Sequence, residues 1–179
     1  MTTKLNSASE LCLRRVRWLV ALFITGLVLS GATAIPLETE VNWLVRVTGA
    51  RQWVEAPAST TVPVWAEWLC RVRTGLHETN AKFPFMGYGG DSLAFGHFVI
   101  AIAFIGAWRD PVRNIWLFQF GLIACALVIP YALVCGAGRG IPMWWRLIDC
   151  SFGVFGALPL WFCTREARKI EAEQRFIEP

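Results

Sequence analysis

"IWLFQFGLIACALVIPYALVC", residues 115–135, runs for 21 positions without one charged side chain. At 1.5 Å per residue a helix of that length covers about 30 Å, the thickness of a bilayer's hydrocarbon core. Its single proline, Pro130, would break a helix in water. A membrane bundle tolerates it because neighbouring groups re-satisfy the freed carbonyl. The stretch predicts a transmembrane helix.

Three more apolar stretches have the same character, at about 18–35, 92–109 and 144–163. The second and fourth spans are short, and Trp108, Trp144, Trp145 and Trp161 extend them to headgroup level as an aromatic belt. Composition agrees: 55% of the chain is hydrophobic, ten residues are tryptophan, and the mean hydropathy is +0.47. That exceeds what a soluble domain of 179 residues hides in its core. The predicted fold class is therefore all-α, a polytopic membrane protein forming one integral domain. Its expected form is a four-transmembrane-helix bundle with two short amphipathic helices in the loop between the first and second spans.

The charge balance, seventeen Lys plus Arg against thirteen Asp plus Glu, is only mildly basic and predicts no nucleic-acid partner. Position says more than the total. Lys4, Arg14, Arg15 and Arg17 precede the first span, Arg109 and Arg113 lie in the link "RDPVRN", and Arg165, Arg168 and Lys169 follow the fourth span. By the positive-inside rule these regions are cytoplasmic, as are both termini, and the expected location is a bacterial cytoplasmic membrane. The loop 36–91 and the turn "GAGRGIPMWWR" are then outside, with a cytoplasmic tail over 164–179. The first stretch, "RRVRWLVALFITGLVLSGATA", also has the basic, apolar and A-x-A regions of a cleavable signal peptide. Its apolar run is long for that role, which favours a retained span.

In the outer loop, "PLETEVNWLVRVTG" places Leu37, Val41, Leu44 and Val45 at helical spacing, with Glu38 and Glu40 in the first turn and Gly49 at the end. After the polar break "APASTTVP", "VPVWAEWLCRVRTGLHE" puts Trp65, Trp68, Leu69, Val72 and Leu76 on one face and Glu67 and Arg71 on the other. Both segments read as interfacial helices over the outer end of the bundle.

Six cysteines, at 12, 70, 125, 135, 150 and 163, include no C-x-x-C pair, which disfavours a dithiol centre or zinc knuckle. Cys70 and Cys135 both lie outside in this topology and are the candidate disulfide. Two histidines, His77 and His97, do not provide a bis-histidine haem site, and neither a metal site nor any cofactor is expected. His77, Glu78 and Glu67 are weaker candidates for a surface site, against the simpler reading of a solvated helix end. "GAGRG" reads as a flexible turn because no strand precedes it.

The polar residues that need explaining are Asp91 and His97 at the start of the second span, and Arg146 and Asp149 at the start of the fourth. Asp149 shares a helical stripe with Phe152, Gly153 and Gly156, and His97 shares one with Ala94 and Ala101, so both stripes suit close helix contacts. An unpaired carboxylate facing lipid is costly, so Asp149 should point inward. It is expected either to pair with Arg146 at the rim, or to join Asp91, His97 and Arg146 in an outer-leaflet pocket for a proton, an ion or a headgroup. Two functions follow from these alternatives. The favoured one is a non-enzymatic structural or accessory subunit that binds membrane lipids or a membrane partner, the candidates being a larger membrane complex and a second copy. The other is a transporter or membrane enzyme working through that pocket.

Overall fold

A computed structural model describes residues 7–57 and 61–177. Lys4 of the first basic cluster, residues 58–60 of the polar break, and the last two residues of the tail lie outside this range. All regular structure among the described residues is helical. In chain order the helices are α1 (Ser7–Ala34), α2 (Leu37–Thr48), α3 (Ala50–Val54), α4 (Val64–Lys82), α5 (Tyr88–Arg109), α6 (Ile115–Gly138) and α7 (Met143–Ile177). A single 3-10 turn, Pro84–Gly87, joins α4 to α5. Four helices, α1, α5, α6 and α7, are long and apolar enough to cross a membrane. They cover the four expected stretches and overrun them. α1 begins well before Trp18, and α7 continues past the apolar run so that the charged tail is helical too. Glu171–Arg175 (2.7 Å) and Glu166–Lys169 (2.6 Å) pair along that tail at one-turn spacing.

The loop between the first two spans holds three helices where two were expected. Gly49 closes α2 in the left-handed region at φ 66°, where its N–H reaches back to the carbonyl of Arg46, and the chain starts α3 at the next residue. Cys70 and Cys135, the candidate disulfide, are both free thiols in the structure and belong to different units, 28–98 and 99–179. Nothing in the sequence forced those two side chains together.

The chain divides into two compact units, 1–27 with 99–179, and 28–98. In the first, Phe104 of α5, Leu117 and Phe118 of α6, Leu160 and Cys163 of α7, and Val16 and Val20 of α1 form the buried core. The rings of Phe23 and Phe104 meet at 4.8 Å. α6 and α7 approach closely through glycine: a Cβ on Gly153 would stand 2.5 Å from the carbonyl oxygen of Cys125, and one on Gly121 would stand 2.7 Å from Leu160. Ile102, Ile123, Leu127, Val134, Phe152 and Phe155 point outward, exposed as residues that meet acyl chains are.

In the second unit, α2 buries Val41 and Val45, and α4 buries Ala66 and Leu69. The end of α1 meets the start of α5 at Gly31, where a Cβ would come within 3.0 Å of the Ala94 carbonyl and 3.2 Å of the His97 Cβ.

Candidate functional site

Helices α2 and α4 are joined by a row of polar contacts. Glu38 accepts from His77 Nδ1 (2.9 Å) through one oxygen and from Asn80 Nδ2 (2.7 Å) through the other. One turn along α2, Asn42 accepts from Arg73 Nε at 2.6 Å. Since 38 pairs with 77 and 80 while 42 pairs with 73, the two helices run antiparallel. His77 therefore takes Glu38 as its partner, and Glu67 and Glu78 are exposed on α4. Sequence reading missed Glu38 because it lies 39 positions from His77. The available signal was the spacing itself: 38 and 42 share one face of α2, and 73, 77 and 80 share one face of α4.

The two hydrogen bonds, from Asn80 first and His77 second, hold the Glu38 carboxyl below its ordinary pKa, helped by the nearby Arg73. A carboxylate with a depressed pKa in the folded state stabilises it above the ordinary carboxylate range of about 4, and that contribution is lost as pH falls through the depressed value. Protection of the backbone amides over residues 37–48, taken as the hydrogen-exchange rate relative to the intrinsic rate at each pH, is accordingly expected to fall on acidification below that range. The acid-dependent part should vanish in Glu38→Gln, and protection that stays flat with pH in the parent protein would contradict the assignment.

The four residues singled out at the span starts fall in both units: Asp91 and His97 in the second, Arg146 and Asp149 in the first. Asp91 is exposed in the first turn of α5, where the helix dipole favours an acid. His97 Nδ1 lies 2.8 Å from the Leu93 carbonyl of its own helix. A carbonyl only accepts, so the proton sits on Nδ1 and, in the neutral ring, Nε2 is the free acceptor. Arg146 does not turn toward Asp149, and among the described residues no ion pair joins them. Its aliphatic stem crosses Gly136, where a Cβ would lie 2.6 Å from Cδ, and its Nη1 donates to the Leu133 carbonyl on α6 at 3.0 Å. The rim pair expected from sequence is thus replaced by an arginine that ties α7 to α6. The reason is local: Gly136, without a side chain, leaves room on the last turns of α6 for the arginine's stem. The indole Nε1 of Trp144 and the Nε of Arg146 are buried beside this contact without a hydrogen-bond partner among the described residues.

The stripes of small residues also have definite partners. Gly153 and Gly156, on the Asp149 side of α7, pack against Cys125 of α6, while Ala94, on the His97 side of α5, packs against Gly31 of α1.

No family model, curated protein or solved structure matches this chain.

At the end of the first unit that carries the two termini, polar contacts join α1 to α7. Ser9 donates to Glu173 (2.9 Å), and the Cys12 thiol donates to Glu166 (3.1 Å). The link between α5 and α6 is fixed by its own residues. Asp110 accepts the Arg113 backbone N–H (3.0 Å), and Asn114 Nδ2 donates to the carbonyls of Gly106 (3.1 Å) and Asp110 (2.9 Å). Arg17 Nη2 reaches the Arg109 carbonyl at 3.2 Å, tying this link to α1. Sequence gave these arginines an orienting role alone.

Proposed function

We propose that this chain is a non-catalytic subunit of a cytoplasmic membrane. In this reading it has four spans with both termini inside, α2 to α4 on the outer side, and an outer surface that takes up lipid or a membrane partner. The observation that carries the reading is the use made of the polar side chains. His77 and Asn80 join α4 to Glu38 of α2, Arg146 joins α7 to α6, and His97 bonds to its own helix. Groups suited to chemistry are committed to holding helices in place. Around them, large apolar side chains cover the outside of all four long helices, among them Leu22, Phe95, Leu127 and Phe155. Such a surface favours lipid or another membrane helix. Positive clusters at 14–17, 109–113 and 165–169 support the orientation.

Purification in mild detergent, followed by native mass spectrometry and an absorption spectrum, tests the proposal. The expected result is a colourless protein that retains lipid or a partner subunit. A stoichiometric haem or quinone would overturn it. So would Asp149→Asn abolishing a cellular phenotype at normal abundance, since a carboxyl without a working role is expected to leave the phenotype unchanged.

A further inference from the structure

A cleft of about 530 Å³ opens where α1, the α5–α6 link and the α7 tail come together. Arg17, Arg109 and Arg113 line it, with the buried ring of Pro111 beneath. Two acids also reach the cleft, and each has a partner. Asp110 accepts the backbone N–H of Arg113, and Glu171 is paired with Arg175 at 2.7 Å. Among the described residues none of the three cleft arginines forms an ion pair. Three arginines therefore line one concave space, with Arg17 holding the Arg109 carbonyl through one Nη (3.2 Å) and three positive charges against two negative ones, an arrangement suited to an oxyanion with several acceptor oxygens.

The level of the cleft along the helices points to the source of that anion. Arg17 directly precedes Trp18 and Arg109 directly follows Trp108, so the arginines sit where two spans leave their apolar runs. Both tryptophans are exposed, and a second cavity of about 270 Å³ is bounded by Arg17, Trp108 and Arg109. Indole rings beside arginines at the end of a span occupy headgroup depth, with apolar surface below for acyl chains. A soluble phosphate would use the arginines but have no use for the exposed indoles.

We propose that the Arg17–Arg109–Arg113 cleft binds the phosphate of an anionic phospholipid headgroup, an inference that rests on the membrane placement proposed above. The full chain in nonionic detergent is titrated with phosphatidylglycerol, phosphatidylcholine or inorganic phosphate, with bound lipid read by native mass spectrometry and unfolding by tryptophan fluorescence. Phosphatidylglycerol should be retained in preference to phosphatidylcholine. At about fivefold per surface cation, Arg113→Gln should weaken it roughly fivefold and the triple glutamine variant on the order of a hundredfold. Arg46→Gln with Arg71→Gln, on the helices of the other unit, should leave retention unchanged. Arg113 donates no side-chain hydrogen bond to the fold among the described residues, so its variant remains informative should the triple variant misfold. Equal retention of both lipids, or unchanged retention in Arg113→Gln, would overturn the proposal. Stabilisation by inorganic phosphate equal to that by phosphatidylglycerol would overturn the lipid as source. Failure of the membrane reading itself has another signature: the chain would enter the aqueous phase on detergent phase separation.

Discussion

Gly153→Leu is expected to abolish accumulation of the folded protein. A Cβ at this position would lie 2.5 Å from the carbonyl oxygen of Cys125 and 2.7 Å from Val128 Cγ1. The first neighbour is backbone inside a helix and has no rotamer by which to give way, so α7 must move away from α6. That movement disturbs the neighbouring contacts on the same seam, Gly156 against Cys125 and Gly121 against Leu160. Membrane helices gain little from hydrophobic transfer when they associate and depend on close packing of this kind. Overpacking in a tight core costs about 1–3 kcal/mol, and a collision with backbone belongs at or above the upper end. Gly153→Ala, with a single methyl, should be intermediate. Gly26→Leu, where an added Cβ meets nothing within 4 Å, should be close to neutral. Immunoblot of the membrane fraction and thermal unfolding in detergent measure the series. Equal abundance of Gly153→Leu and Gly26→Leu would show that α6 and α7 do not meet through this glycine.

Gly153 also marks how far the sequence could be read. The apolar runs identified four membrane-length helices because that signal depends only on local composition and a fixed rise per residue. The small residues beside Asp149 and His97 identified the contact faces for an equally local reason. Which neighbour each face would meet was not legible. Gly153 meets α6 and Ala94 meets α1, choices made by loop lengths and by packing far along the chain. The same limit explains Arg146. At three residues from Asp149 it looked like half of an ion pair, yet the space above Gly136 drew it across to Leu133 on the next helix. Sequence spacing ranks partners on one helix and is blind to a vacancy on another. It also missed the cleft beside the α5–α6 link, because Arg17 and Arg109 are 92 positions apart and only the fold makes them neighbours.

Phe104→Ala is the second substitution expected to be severe, and it tests a different part of the packing. Phe104 is fully buried, its ring 4.8 Å from that of Phe23 and its tip 3.3 Å from where a Cβ on Gly121 would be. It thus fills the space between α1, α5 and α6 at the centre of the core. In water, truncation of a buried phenylalanine loses both transfer energy and packing, about 3–5 kcal/mol. Within a bilayer the transfer part shrinks, since separated helices would present the ring to acyl chains instead of water. The cavity part remains. A void of roughly 100 Å³ at about 24 cal/mol per Å³ gives about 2.4 kcal/mol, and Phe104→Leu should recover much of it. Phe95 is the control on the same helix: the residue is 67% exposed, so Phe95→Ala removes outward-facing surface and leaves no hole. Unfolding in graded denaturing detergent should separate the two alanine variants clearly. Similar losses for both would mean that stability follows the apolar content of α5, whereas a loss confined to Phe104 would trace it to the interlocking of α1, α5 and α6 around one ring.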